Sequence, residues 1–145
     1  MRWLLTDPFN QHRFWKLEDE RFIAELKYNG QAQSFRLTSG DRRLFFIEKA
    51  GFLQNKYFLK TEYSIVTGEV FPAKDWHSGF IVIESKKFNY FLKNDLLTLS
   101  SKKETFSMSI EINNANDINQ SELFALLFSS LKVVTNAYKV NHSLV

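Results

Sequence analysis

The stretch Ser121-Glu122-Leu123-Phe124-Ala125-Leu126-Leu127-Phe128-Ser129-Ser130-Leu131-Lys132-Val133-Val134 decides how this chain of 145 residues is read. At about 100° per residue, Leu123, Phe124, Leu126, Leu127, Phe128, Leu131, Val133 and Val134 cover well over half of a helix circumference. Only Ser121, Ala125, Ser129, Lys132 and Asn136 share the narrow stripe left over. A helix lying on a sheet surface keeps a wide polar face, so this one is expected to be enclosed on most sides and to form the centre of the core. Its start is also marked: Asn119 and Glu122 fit a capping box, in which each side chain satisfies the other residue's backbone N–H. The predicted helix runs from Ser121 to about Tyr138, after a polar, Asn-rich link at Asn113 to Asn119.

Upstream of that link, the chain from Arg21 reads as short strands. In Thr105 to Ile112, Phe106, Met108, Ile110 and Ile112 alternate with Ser107, Ser109 and Glu111, the period of two that a half-buried strand requires. Arg21 to Tyr28 and Gln33 to Thr38 show the same alternation around Asn29-Gly30, a hairpin turn signal, and the second run stops at Ser39-Gly40-Asp41. Arg43 to Glu48 follows, apolar on both faces. Further strands are predicted at Tyr57 to Leu59, Glu62 to Thr67, Glu69 to Phe71, Phe80 to Glu84, Phe88 to Leu92 and Leu96 to Leu99. Strands this short, with no helices between them, favour an antiparallel barrel or sandwich over a parallel sheet. The expected fold is therefore mainly β: an antiparallel β-barrel enclosing a hydrophobic carboxy-terminal α-helix, one domain over residues 1–145. The place of residues 1–20, within the barrel or peripheral to it, stays open.

Composition agrees and excludes several classes. Fifteen Phe, five Tyr and three Trp make the chain 16% aromatic, which suits pleated surfaces. The absence of Cys rules out disulfides, thiolate metal sites and Cys nucleophiles. The net charge of +3 is a mild excess, common in proteins that bind no polyanion. The apolar run Trp3-Leu4-Leu5 is too short for a secretory signal, and no run of about 18 apolar residues occurs, so a cytoplasmic location is expected.

Gly40-Asp41-Arg42-Arg43-Leu44, the Phe80 to Leu92 strand pair and above all Ser121 to Phe128 resemble the tubby carboxy-terminal-like superfamily, which includes tubby proteins, phospholipid scramblases and LURP-one-related proteins. The resemblance covers the chain from about Arg21 onward, although this chain is shorter than most members. It rests on order and hydrophobic pattern, and it implies a closed barrel around the last helix. Tubby proteins bind phosphoinositides, but no residue-level motif carries over. A lipocalin-like barrel is the alternative. Its late helix packs outside and needs a polar face, which the apolar arc does not provide.

Signals for chemistry are sparse. His12, His77 and His142 are scattered, without the spacing of a metal site. Asp75-Trp76-His77 is read as a solvated loop in which Trp76 covers the barrel end, with an acid/base pair or weak metal site as the sharper alternative. No phosphate loop, nucleophile elbow or His-Glu-x-x-His helix is present, so no catalytic, cofactor or metal residue is assigned. Basic pairs at Arg42-Arg43, Lys86-Lys87 and Lys102-Lys103 each lie near a predicted turn. Gathered at one end of a barrel, they would hold an anionic lipid headgroup; dispersed, they are solubility features. The aromatics fall at inward positions and the one strong helix is too apolar to read a groove, so nucleic-acid binding is not expected. Three readings follow: a non-catalytic module for anionic lipid or a membrane surface, a protein-interaction domain anchored by exposed Trp3, Trp15 or Trp76, and a small ligand-binding barrel or enzyme with an internal pocket.

Overall fold

The computed structural model of the chain describes residues 1–6, 13–29, 34–39, 44–50 and 56–143. Among them the first six strands are β1 (Arg2–Thr6), β2 (Phe14–Glu18), β3 (Ala24–Asn29), β4 (Ser34–Ser39), β5 (Leu44–Ala50) and β6 (Lys56–Thr61). These are followed by β7 (Val66–Pro72), β8 (Ser78–Ile83), β9 (Lys86–Lys93), β10 (Leu96–Ser101) and β11 (Phe106–Ile112). A 3-10 turn at Ala115–Asp117 then leads into the helix α1 (Gln120–Ser143). In β9, Phe88, Tyr90 and Leu92 turn inward while Lys87, Asn89, Phe91 and Lys93 face out, the pleat reading directly from the sequence.

Each strand pairs antiparallel with the next, and β1 closes the ring against β11. That closing pair is parallel, aligning Arg2 with Glu111 and Trp3 with Ile112. The direction is forced: in an up-and-down ring with an odd number of strands, first and last run the same way. The expected all-antiparallel barrel is thus correct except at this seam, where the Glu111 N–H donates to Met1 O (3.2 Å) and the Asn113 N–H to Trp3 O (2.9 Å).

The first twenty residues contribute β1 and β2, so they complete the barrel. Trp3 and Trp15 are fully buried, which corrects their expected role as exposed anchors. Each sits on the inward face of its strand, and each indole N–H has a partner inside: Trp3 donates to Ser130 Oγ (2.8 Å), Trp15 to Glu122 Oε2 (2.8 Å). A second correction concerns Glu62 to Thr67. Thr61 Oγ1 accepts the N–H groups of Tyr63 (3.3 Å) and Ile65 (3.2 Å), and Ser64 is left-handed (φ 63°). Residues 62–65 therefore form a turn, and the strand starts at Val66 and runs through the Glu69 to Phe71 segment that the sequence suggested was separate. The turn signals at Gly30, Gly40 and Asp41 lie outside the described residues.

The helix occupies the barrel interior. All twelve residues from Glu122 to Val133 are buried, and at 100° per residue they sweep every direction around the axis. The wall reaches it from all around: Trp3 and Trp15 as above, Tyr57 on β6 by a ring contact with Phe124 (4.8 Å), and Tyr90 on β9 by another (6.3 Å). At Gly68 on β7, a Cβ atom would stand 2.9 Å from Phe128 Cε1, so the close approach of strand and helix needs glycine. Of the narrow stripe, Ala125, Ser129 and Lys132 are buried with the rest and Ser121 is half-buried. Ser130 Oγ donates to Leu126 O (2.7 Å). Among the described residues, the buried polar side-chain atom without a hydrogen-bond partner is Ser129 Oγ. The predicted capping box forms, with the Glu122 N–H donating to Asn119 Oδ1 (2.8 Å) and the Asn119 N–H reaching Glu122 Oε1 (3.5 Å).

Outward positions such as Lys16, Glu25, Lys27, Arg36, Lys93 and Glu111 are exposed and charged, the reverse of the apolar band of a membrane-spanning barrel. No described helix is long and apolar enough to cross a membrane.

Candidate functional site

In an up-and-down barrel, successive connections alternate between the two ends, which are chemically different here. The helix starts at the end reached by β11. There Glu122, 1% exposed, accepts from Arg13 Nε (2.6 Å) as well as Trp15 Nε1, and the Tyr57 hydroxyl meets Ser121 Oγ (2.7 Å). The carboxylate faces the positive end of the helix dipole together with two donors, Arg13 just before β2 and Trp15 on it. Its valences are taken up in anchoring α1, which makes it a structural group.

Asp75-Trp76-His77 connects β7 to β8 at this same end. Asp75 Oδ1 accepts from the His77 N–H (3.1 Å) and lies 3.2 Å from its Nδ1, so the carboxylate fixes both the loop and the ring. Trp76 is half-buried against the core, its ring 4.1 Å from that of His77, as the covering role anticipates. The Tyr90 hydroxyl donates to Trp76 O (3.0 Å), and burial pushes the Tyr90 phenol well above its ordinary range. Among the described residues, no three His, Asp or Glu side chains converge as metal ligands.

The helix leaves at the opposite end, among the β2–β3, β6–β7, β8–β9 and β10–β11 connections. The two-residue β8–β9 turn is formed by Glu84 (φ 50°) and Ser85 (φ 68°), both left-handed. This is the conformation of a type I′ hairpin, usually built from Asn and Gly, so nothing in the residue types announces it. Lys132, buried on the helix, reaches out to Glu84 Oε1 (2.7 Å) and ties the turn to α1. In the β10–β11 turn Thr105 is left-handed too (φ 46°), unusual for a β-branched residue.

Between these two turns and the helix lies a cavity of about 330 Å³. Phe88, Phe106, Leu131 and Val134 form its walls, the two rings in edge-to-face contact at 5.5 Å. Lys86, Glu104 and Thr105 form its mouth. The rim beside it carries exposed apolar tips: Tyr63 at 79%, Ile65 at 59% and Val66 at 52%, with Ile23 at 76% in the β2–β3 connection.

The structure separates the members of one basic pair and keeps another. Lys86 has the parity of Phe88 and turns to the mouth, whereas Lys87 turns to the outer wall, its ammonium 4.2 Å above the Phe80 ring. Lys102 and Lys103 are both exposed in the turn that supplies Glu104 and Thr105. Lys86, Lys102 and Lys103 thus share the helix-exit end. Arg42 and Arg43 lie outside the described residues. Sequence reasoning missed the cavity and the apolar tips: a spacing of two assigns a residue to a face of its strand, but Tyr63 and Ile65 belong to a turn where that rule stops. On the outer wall, Phe71 stacks on Phe80 (4.8 Å between centroids), and Phe91 is 49% exposed on the next strand. In comparisons with known proteins, the chain matches no family model, no curated protein and no solved structure.

Proposed function

We propose that this protein is a non-catalytic binding module that docks reversibly on anionic membrane surfaces through the helix-exit end of its barrel. The observation that carries the reading is the meeting there of exposed apolar tips, Tyr63, Ile65 and Val66, with the lysines Lys86, Lys102 and Lys103. Apolar tips enter the interfacial region, and lysines beside them are drawn to anionic headgroups by roughly 1 kcal/mol each. Glu20, Glu62, Glu84 and Glu104 share this end, with Glu84 held by Lys132, so attraction is moderate and the apolar tips supply the rest. The central helix and its barrel also support kinship with the tubby-like superfamily, as the order of elements suggests.

Vesicle co-sedimentation tests the reading. The chain should partition onto phosphatidylcholine vesicles containing phosphatidylserine in preference to phosphatidylcholine alone, and added salt should weaken the partition. Lys102→Gln with Lys103→Gln should cost about 2 kcal/mol, roughly a thirtyfold loss. Partition equal on both vesicles and indifferent to the double substitution would refute docking by this end. A second reading, a protein contact on the outer wall, is favoured by Phe71, Phe80 and Phe91; it predicts that Phe91→Ser abolishes partner binding while vesicle behaviour is unchanged.

A further inference from the structure

The helix occupies the barrel interior from Glu122 to Val133, and where it leaves lies a cavity of about 330 Å³ whose described lining divides into an apolar depth and a charged mouth. We propose that this cavity binds a single medium-chain fatty carboxylate, its tail between Phe88, Phe106, Leu131 and Val134 and its carboxylate beside Lys86. The inference stands on the cavity and does not require membrane docking.

Three observations define the ligand. At about 330 Å³ the cavity lies at the small end of the range of roughly 300–1,000 Å³ for ligand pockets, which suits one short chain better than the paired acyl chains of a phospholipid. Among the described residues, those lining the depth are aromatic and branched aliphatic, Phe88, Phe106, Leu131 and Val134, so the buried part of the ligand is hydrocarbon. The mouth supplies a cation for an anionic head. Lys86 lines it, Lys102 and Lys103 occupy the same turn as Glu104, and the Glu84 carboxylate nearby is engaged by Lys132. Glu104 is the opposing charge at the mouth and acts against a carboxylate ligand. Thr105, held in its left-handed conformation at the mouth, is the kind of locally costly geometry that binding sites retain.

The test is calorimetric titration of the full chain with decanoate, and with decanol as the uncharged counterpart. Decanoate should bind one to one and at least tenfold more tightly than decanol. Lys86→Gln should weaken decanoate roughly tenfold and leave decanol unchanged, as expected for loss of one charged hydrogen bond. Glu104→Gln should tighten decanoate, an effect in the direction opposite to damage. Val134→Trp, at a half-buried position, should fill the cavity and abolish binding of both; Thr105→Trp closes the mouth independently should the first variant fold poorly. No saturable decanoate binding, binding that survives both occluding variants, or a Lys86→Gln protein with unchanged decanoate affinity would each overturn the assignment. Vesicle partition of the same variants separates the two proposals: docking without decanoate binding sinks only the cavity, and decanoate binding without docking sinks only the membrane reading.

Discussion

Replacing Glu122 by Ala probes whether one buried carboxylate holds the start of the central helix to the wall. Its Oε2 accepts from Arg13 Nε at 2.6 Å and Trp15 Nε1 at 2.8 Å, and its Oε1 faces the Asn119 N–H. Truncation strands the indole N–H of a fully buried Trp15, worth about 1–3 kcal/mol. It also removes the negative charge from the helix N-terminus, worth up to about 2 kcal/mol in a partly buried setting. Breaking a fully buried ion pair from one side typically costs about 3–5 kcal/mol, but Arg13 is partly exposed and can turn to water, so a loss of about 2–4 kcal/mol is expected. Glu122→Gln keeps the volume and an acceptor for Trp15 while losing the charge, so it should cost about 1–2 kcal/mol. For a domain with roughly 5–15 kcal/mol of stability, the Ala variant forfeits a large fraction. Urea unfolding followed by tryptophan fluorescence, with the slope unchanged, measures both. An Ala variant within about 1 kcal/mol of the parent, or a Gln variant as damaged as the Ala one, would refute this account of the anchor.

Other outcomes follow from the packing. Gly68→Ala should destabilise by about 1–3 kcal/mol, since its Cβ meets Phe128 in a full core; an unchanged urea midpoint would mean the helix has room to retreat. Ser129→Ala should stabilise by about 1 kcal/mol, because the hydroxyl it removes is buried without a partner, and a lowered melting temperature would contradict that. Tyr90 should resist ionisation. With its folded-state phenol raised above the ordinary value of about 10, its contribution is whole below that pH and is lost above it, as the unfolded chain ionises first. Stability should fall by about 1.4 kcal/mol per pH unit there, and Tyr90→Phe should remove this component. Absorbance at the phenolate band checks it: Tyr90 ionising like a free phenol in the folded protein would count against the buried site.

Legibility in the sequence followed the range of the interactions. The alternation in β9 and β11, the capping box of Asn119 and Glu122, and the apolar arc of α1 are local patterns, set within a few residues by pleat, cap and helical period. They were enough to place the helix inside a barrel, because an element without a polar face has to be covered. The short strands β1 and β2 were not legible. Their five residues carry little pattern, and the pairing that makes them part of the barrel joins Trp3 to Ile112, across most of the chain. Trp3 and Trp15 were misjudged for the same reason, since their partners Ser130 and Glu122 lie far along the sequence.

The amino acids alone therefore determined the class of structure, an aromatic-rich barrel closed over an apolar helix, because burial of that helix admits few other arrangements. Tertiary structure decided what the ends of the barrel present. Only closure of the ring sets which turns share an end, brings Lys86 and the Lys102-Lys103 turn to the rim where Tyr63 and Ile65 project, and sends Lys87 to the outer wall. Only the exit path of α1 leaves the cavity between Phe88, Phe106, Leu131 and Val134, because a void is a property of packing among distant residues and no local periodicity encodes it.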